Sequence, residues 1–287
     1  MNKVKALGVI NLTPNSFSDG GKAFSEKAFF LSIERLIKLD CRIIDIGAES
    51  TAPMNEAITD FEERIRLELS FEGLKQFKDQ IEMVSLDSYR PKTAMWFFKE
   101  LRNLGFAPHQ FMWNDVSGVN DGAHLDFLES FTDSSYVFSH NLAPERELSG
   151  FHMDYLEEGD GGELLEKLRS FFSEMQNSRV YFDPCFGFSK TNEQNLFLLQ
   201  NWQALVSFFP EANWLLGVSK KSFMRSWWAD NIESGSRDFL LAKSEFLHYE
   251  FIKNVIDQVP HILKGEVLLR LHDPSLLNFS KQKLSFS

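Results

Sequence analysis

Short apolar runs alternate with longer stretches of helical periodicity from one end of the chain to the other. The runs are Ala6 to Ile10, Arg42 to Gly47, Ile81 to Leu86, Phe111 to Trp113, Tyr136 to Ser139, Arg179 to Phe182, Trp214 to Val218 and Val267 to Leu271. Between them, segments such as Ala28-Phe29-Leu31-Ile33-Leu36-Ile37 and Leu164-Leu165-Leu168-Phe171-Phe172 place apolar side chains on one helical face. Short strands separated by helices predict parallel pairing through crossovers. Eight such units predict an α/β fold closed into a (β/α)8 TIM barrel rather than an open doubly wound sheet. The length of 287 residues suits one such barrel, so a single domain is expected over residues 1–287.

Polar residues gather where the apolar runs end. Asn11 follows the first, and Asp45, Glu49, Ser50 and Thr51 lie in or after the second. Asp87 and Ser88 follow the third, Asn114 and Asp115 the fourth, and His140 and Asn141 the fifth. Asp183 ends the sixth, Ser219-Lys220-Lys221 the seventh, and Arg270, His272 and Asp273 the eighth. Any one of these is ordinary, because strands end at the surface. Repeated eight times, they predict a shared polar pocket at the carboxyl-end mouth, where barrels of this kind work. Asp45 stands apart. Ile44 and Ile46 flank it, so a carboxylate must sit inside a buried strand, which is costly unless it is paired or hydrogen-bonded.

Composition narrows the partners. A formal net charge of −11 argues against nucleic acid and membrane surfaces, both polyanionic. A phosphorylated substrate must then be drawn by a local basic cluster. The 2 cysteines, Cys41 and Cys185, form neither a disulfide framework nor a metal-ligand pattern. No apolar stretch approaches a membrane span, and a cytoplasmic protein is expected. The 29 phenylalanines point to aromatic-rich packing and not to any chemistry.

The loop after the first run reads Asn11-Leu12-Thr13-Pro14-Asn15-Ser16-Phe17-Ser18-Asp19-Gly20-Gly21. These residue types favour turns. The loop is nevertheless longer than a simple βα connection needs, and its amides and hydroxyls suit a lid that meets an anion. It resembles the signature that opens the dihydropteroate synthases, and further segments resembling that family follow in order. They are Asp45-Ile46-Gly47-Ala48-Glu49-Ser50-Thr51, Ser85-Leu86-Asp87-Ser88-Tyr89, Asn114-Asp115-Val116-Ser117-Gly118, Asp183-Pro184-Cys185-Phe186-Gly187-Phe188-Ser189-Lys190, Gly217-Val218-Ser219-Lys220-Lys221-Ser222 and Arg270-Leu271-His272-Asp273. One such string arises by chance; an ordered set spanning the chain does not.

The resemblance implies a transferase that condenses 6-hydroxymethyl-7,8-dihydropterin diphosphate with p-aminobenzoate, giving 7,8-dihydropteroate and diphosphate in folate biosynthesis. It implies that Asp87, Asn114, Asp183, Phe188 and Lys221 line a pterin pocket with Thr51 at its edge. Asn11, Arg270 and His272 would hold the diphosphate, Asn11 also positioning Mg2+. Ser16, Phe17, Lys221 and Ser222 would border the p-aminobenzoate site. Asp87 or Asp19 would place negative charge beside a developing cation, with Lys221 as a third catalytic group. A homodimer and sensitivity to sulfonamides are implied as well.

The chain departs from the family's pattern at four positions. Ala52 stands where arginine is usual, and Met54, Ala48 and Cys185 stand where glycine is common. Asn141-Leu142-Ala143-Pro144-Glu145 also matches the family poorly. Ala52 favours a rival reading, a pterin-binding paralogue with weak or no synthase activity. Two others are a corrinoid-linked pterin methyltransferase and an aldolase-type barrel using Lys221 as a Schiff-base amine.

Overall fold

The computed structural model describes residues 3–13, 25–49, 57–143, 145–146, 148, 161–175, 178–224 and 237–277, with the backbone alone at 161 and 237–241. Eight parallel strands close into one barrel in sequence order. They are β1 Val4–Asn11, β2 Ile43–Gly47, β3 Met83–Asp87, β4 Phe111–Asp115, β5 Ser135–Ser139, β6 Val180–Asp183, β7 Asn213–Leu216 and β8 Val267–Leu271. The expected (β/α)8 barrel is therefore the observed fold. β8 pairs back onto β1, with Leu7 opposite Arg270, so no strand edge is left open.

Helices cover the outside. α1 (Glu26–Lys38) joins β1 to β2, and two helices, α2 (Asp60–Glu68) and α3 (Phe71–Phe77), lie between β2 and β3. α4 (Pro91–Asn103), α5 (Ala123–Ser130), α6 (Gly161–Ser173), α7 (Asn192–Ser207) and α8 (Arg237–Ile262) follow the next strands in turn. Local chemistry starts several of them. Ser25 caps α1 by accepting from Ala28 N–H. Thr59–Glu62 and Thr191–Gln194 form reciprocal capping boxes on α2 and α7. Phenylalanine fills the layer between barrel and helices. Phe97, Phe98, Phe111, Phe127 and Phe131 form one run of ring contacts, and Phe138, Phe171, Phe172 and Phe182 another.

Strand boundaries differ from the sequence expectation in one consistent way. Asn11, Asp87, Asn114, Asp115 and Asp183 lie inside strands rather than beyond them. The barrel mouth takes up the side chains of Asn11, Asp87, Asn114 and Asp183, whereas Asp115 turns outward to Tyr136 and Arg146. β7 instead stops at Leu216, short of the expected Val218.

Candidate active site at the carboxyl mouth of the barrel

Strand side chains alternate between inside and outside, and the inside is layered. Leu7, Ile43, Met83, Met112, Val137, Tyr181, Leu215 and Leu268, one from each strand, form an apolar floor. Below it Lys5 pairs with Glu82 at 2.6 Å and Glu266 at 3.1 Å, and Tyr181 donates to Glu266. Two residues further along each strand the period of two delivers Asp45, Ser85, Asn114, Ser139, Asp183 and Arg270 to the same side. Two more bring Asn11, Gly47 and Asp87. The polar strand ends thus form a ring above an apolar base.

Asp45 is fully buried in this ring and paired, as its position required. Its Oδ1 accepts from Ser85 Oγ at 2.6 Å, and its Oδ2 accepts from Arg270 Nε at 2.7 Å. Asn114 Nδ2 lies 3.4 and 3.5 Å from the two oxygens. Arg270 Nη2 donates to Asp87 Oδ2 at 2.6 Å, so one guanidinium bridges two carboxylates. Burial works against its charge, but Asp45 and Asp87 outweigh burial and raise its pKa. Burial pushes Asp87 up to about 7, with Arg270 pulling it down and Asp45 adding to the rise.

Asn114 Oδ1 and Ser139 Oγ are buried and have no hydrogen-bond partner among the described residues. Such groups are rare in folded proteins, and at a barrel mouth they mark where a ligand's polar atoms belong.

Across the ring, Asp183 Oδ1 accepts from Cys185 N–H at 2.7 Å, and burial pushes the acid up to about 6. Lys221 Nζ sits 3.9 Å from the centroid of the Phe188 ring. Burial brings Lys221 down to about 8, aided by Arg270 and opposed by Asp183 and Asp87. Gly187 has φ +82°, and a Cβ there would stand 3.1 Å from Lys221 Cδ, so both backbone shape and space call for glycine. Cys185, Ser189 and Lys220 also adopt left-handed φ, of 55°, 54° and 61°. Strained backbone of this kind is concentrated at working sites. It also explains why glycine is favoured where Cys185 stands.

His272 follows β8. Its Nδ1 lies 3.1 Å from Ser219 Oγ, and burial, reinforced by Arg270, Lys220 and Lys221, lowers it to about 3. It is therefore a neutral imidazole at physiological pH.

The expected site residues Asn11, Asp87, Asn114, Asp183, Phe188, Lys221, Arg270 and His272 all lie on or just beyond strand ends at this one mouth. Ser222 is there too, on the exposed side. Ser16, Phe17, Asp19 and Thr51 lie outside the described residues, as do Ala52 and Met54. Among the described residues no group of three or more His, Cys, Asp or Glu side chains is placed to hold a metal ion.

Two clusters went unassigned in the sequence. Arg90 binds Glu49, Glu63 at 3.2 Å, Asp60 at 3.0 Å and Ile58 C=O at 2.6 Å, tying the residues just past β2 to α2. Arg146 joins Asp115 at 2.6 Å to Asp121 at 2.7 Å. Arg90 lies three residues past β3, at the start of α4, where the strand-end pattern favours Asp87 and Ser88 instead; Arg146 lies well beyond β5, out of that pattern's reach. Ser85 was legible, two residues before Asp87 on the same strand face.

Similarity to known proteins agrees with this geometry. The model of a family described as "pterin binding enzyme" matches residues 7–251, most of the chain. The chain belongs to the pterin-binding enzymes. Within this family it is 26% identical over 236 residues to a dihydropteroate synthase of Streptococcus pyogenes, covering 81% of each chain. It is 26% identical over 286 residues to that of Staphylococcus haemolyticus, covering 100% of this chain and 96% of the other. Among solved structures, the dihydropteroate synthase of Anaplasma phagocytophilum, with bound 6-hydroxymethylpterin-monophosphate, superposes with a TM-score of 0.73 at 22% identity. That match covers 97% of this chain and 96% of the other. Among the described residues no helix of this family member is long and apolar enough to cross a membrane.

Proposed function

We propose that this pterin-binding enzyme is a dihydropteroate synthase. The observation that carries the reading is the convergence of Asp87, Asn114, Asp183 and Lys221 over one apolar floor, with Asn114 Oδ1 left for a ligand to satisfy. A pterin's aminopyrimidinone edge presents two N–H donors side by side, which Asp183 accepts as a carboxylate. Lys221 donates to the ring carbonyl, and Phe188 lies against its ammonium. Arg270 and neutral His272 receive the diphosphate at the rim, with Asn11.

Asn11 also suits Mg2+. A Cβ at Gly47 would lie 3.6 Å from Asn11 Oδ1 and 3.4 Å from Asp87 Oδ2, so two hard oxygen donors flank a glycine that leaves them room. Magnesium keeps few protein ligands, so Asn11 and Asp87 would hold it with substrate phosphate oxygens and water completing the set, and the ion would supply neutralising charge for the diphosphate.

In the reaction the bond between the pterin methylene carbon and the diphosphate oxygen breaks, and the oxygen keeps the electron pair. The arylamine nitrogen forms the new bond to that carbon and releases a proton to solvent. The chain's part is electrostatic: Asp87 faces the developing cation while Arg270 meets the leaving group. Asp19 shares the first task, and Ser16, Phe17 and Ser222 border the p-aminobenzoate. On the same reading the protein is cytoplasmic and a homodimer.

The test is formation of 7,8-dihydropteroate from the two substrates with Mg2+, inhibited by a sulfonamide in competition with p-aminobenzoate. Pterin binding without turnover would instead favour the paralogue to which Ala52 points.

A further inference from the structure

Asp45 is fully buried and is the most connected acid of the ring. Its donors come from three strands: Ser85 on β3, Asn114 on β4 and Arg270 on β8. A carboxylate offers only acceptors, so each neighbour must turn a donor toward it. Asn114 has one donor end and one acceptor end. With Nδ2 directed at both Asp45 oxygens, its Oδ1 is the end without a partner, and it is buried. Arg270 is fixed in the same way: Nε is spent on Asp45 and Nη2 on Asp87, which sets the plane of the guanidinium.

We propose that Asp45 is a positioning residue that sets the polarity of the ring pocket, holding Asn114 so that its carbonyl faces the ligand and selecting planar heterocycles that present an N–H there. The identity of that heterocycle rests on the function proposed above. The orientation of Asn114 is a property of the protein alone. An isosteric Asp45→Asn change brings a donor into the cluster. Its oxygen stays on Arg270 Nε, because an amide N–H there would face another donor. Its N–H2 then faces Ser85, whose hydroxyl can accept, and Asn114, whose Nδ2 loses the nearer of its two acceptors and whose oxygen is drawn inward to meet the new donor. The pocket would then offer a ring N–H another N–H.

Two measurements decide it. A neutron crystal structure of the wild-type protein reads the Asn114 amide directly: deuterons on the side facing Asp45 support the proposal, and oxygen on that side overturns it. This result depends neither on a ligand nor on the folding of a variant. Calorimetry on D45N then compares 6-hydroxymethyl-7,8-dihydropterin with inorganic pyrophosphate. Expected is at least a tenfold loss for the pterin and no loss for pyrophosphate, since removing a negative charge beside Arg270 does not repel an anion. Equal loss of both ligands marks a merely structural role, and unchanged pterin affinity removes the role altogether; either overturns the proposal. Wild-type protein that binds neither ligand would refute the proposed function, and the neutron structure would still judge Asp45.

Discussion

Arg146 and Arg270 are both arginines withdrawn from solvent, each joining two aspartates, and they differ in what they leave over. Arg146 is saturated. Its Nε and Nη2 donate to Asp121, Nη2 also reaches Val119 C=O, and Nη1 donates to Asp115 and Ser117 at 2.6 and 2.8 Å. Its guanidinium lies over Trp113, 5.5 Å from the ring centroid. Arg270 spends Nε and Nη2 and keeps Nη1 without a hydrogen bond among the described residues. The residue is 21% exposed at its side chain, against 8% for Arg146. A closed hub stabilises a loop; an open one at a mouth is prepared for an anion.

The contrast is open to attack, beginning with the most damaging change. Replacing Arg146 with Met strands the fully buried Asp115. It should cost about 3–5 kcal/mol in chemical denaturation, the usual loss on breaking a buried pair. Arg270→Met likewise strands the fully buried Asp45, so it should destabilise as well, but unlike Arg146→Met it should also weaken pyrophosphate binding, and by the largest factor of any change at the mouth. If both variants lose stability equally and pyrophosphate binding is unaffected, the distinction between the two hubs fails.

Asp183→Ala should lower pterin affinity by about 100-fold, or roughly 2.7 kcal/mol, since two ligand donors lose their acceptor. Calorimetry that finds little loss would remove Asp183 from the pocket.

Acidity tests the same residue more gently. Asp183 accepts both ring donors only when ionised, and its pKa lies near 6, whereas Lys221 donates strongly only as the ammonium, and its pKa lies near 8. Pterin affinity should therefore peak between these values and drop about tenfold for each pH unit below the acid limb. Asp183→Asn should flatten that limb. The sign for stability is the reverse. Asp183 and Asp87 hold protons in the folded state that the unfolded chain releases near pH 4. Their contribution to stability therefore falls as pH rises from about 4 to about 7. Thermal melts across that range read it.

The smallest effect belongs to Tyr136→Phe. It removes the 2.8 Å bond to Asp115 Oδ2, which should cost about 1 kcal/mol of stability and leave both affinities unchanged.

Much of this was legible in the sequence because the barrel converts a simple rule into a site. Residues that end strands in a (β/α)8 fold meet, so Asp87, Asn114, Asp183 and Lys221 stood among the strand-end candidates before any coordinates, and the resemblance to the dihydropteroate synthases singled them out. The isoleucines around Asp45 announced that it must be paired. Its partners were not legible, since Arg270 is 225 positions away and any strand-end cation would have satisfied the rule. Arg146 escaped for the opposite reason. It lies in a segment without periodicity, and its worth comes from Asp115, Ser117 and Asp121, which reach it only after the chain has folded. Cys185 falls between these cases: its departure from glycine was visible, but the left-handed backbone that makes it matter was not.

The apolar floor carries a consequence for traffic. Eight packed side chains, from Leu7 to Leu268, separate the acids above from the Lys5–Glu82–Glu266 cluster beneath. A packed apolar layer does not favour a chain of waters, so Asp87 and Asp183, which stand at the mouth, exchange protons with bulk water from that side. A molecule seated over them would close that doorway and freeze their charge state until it leaves.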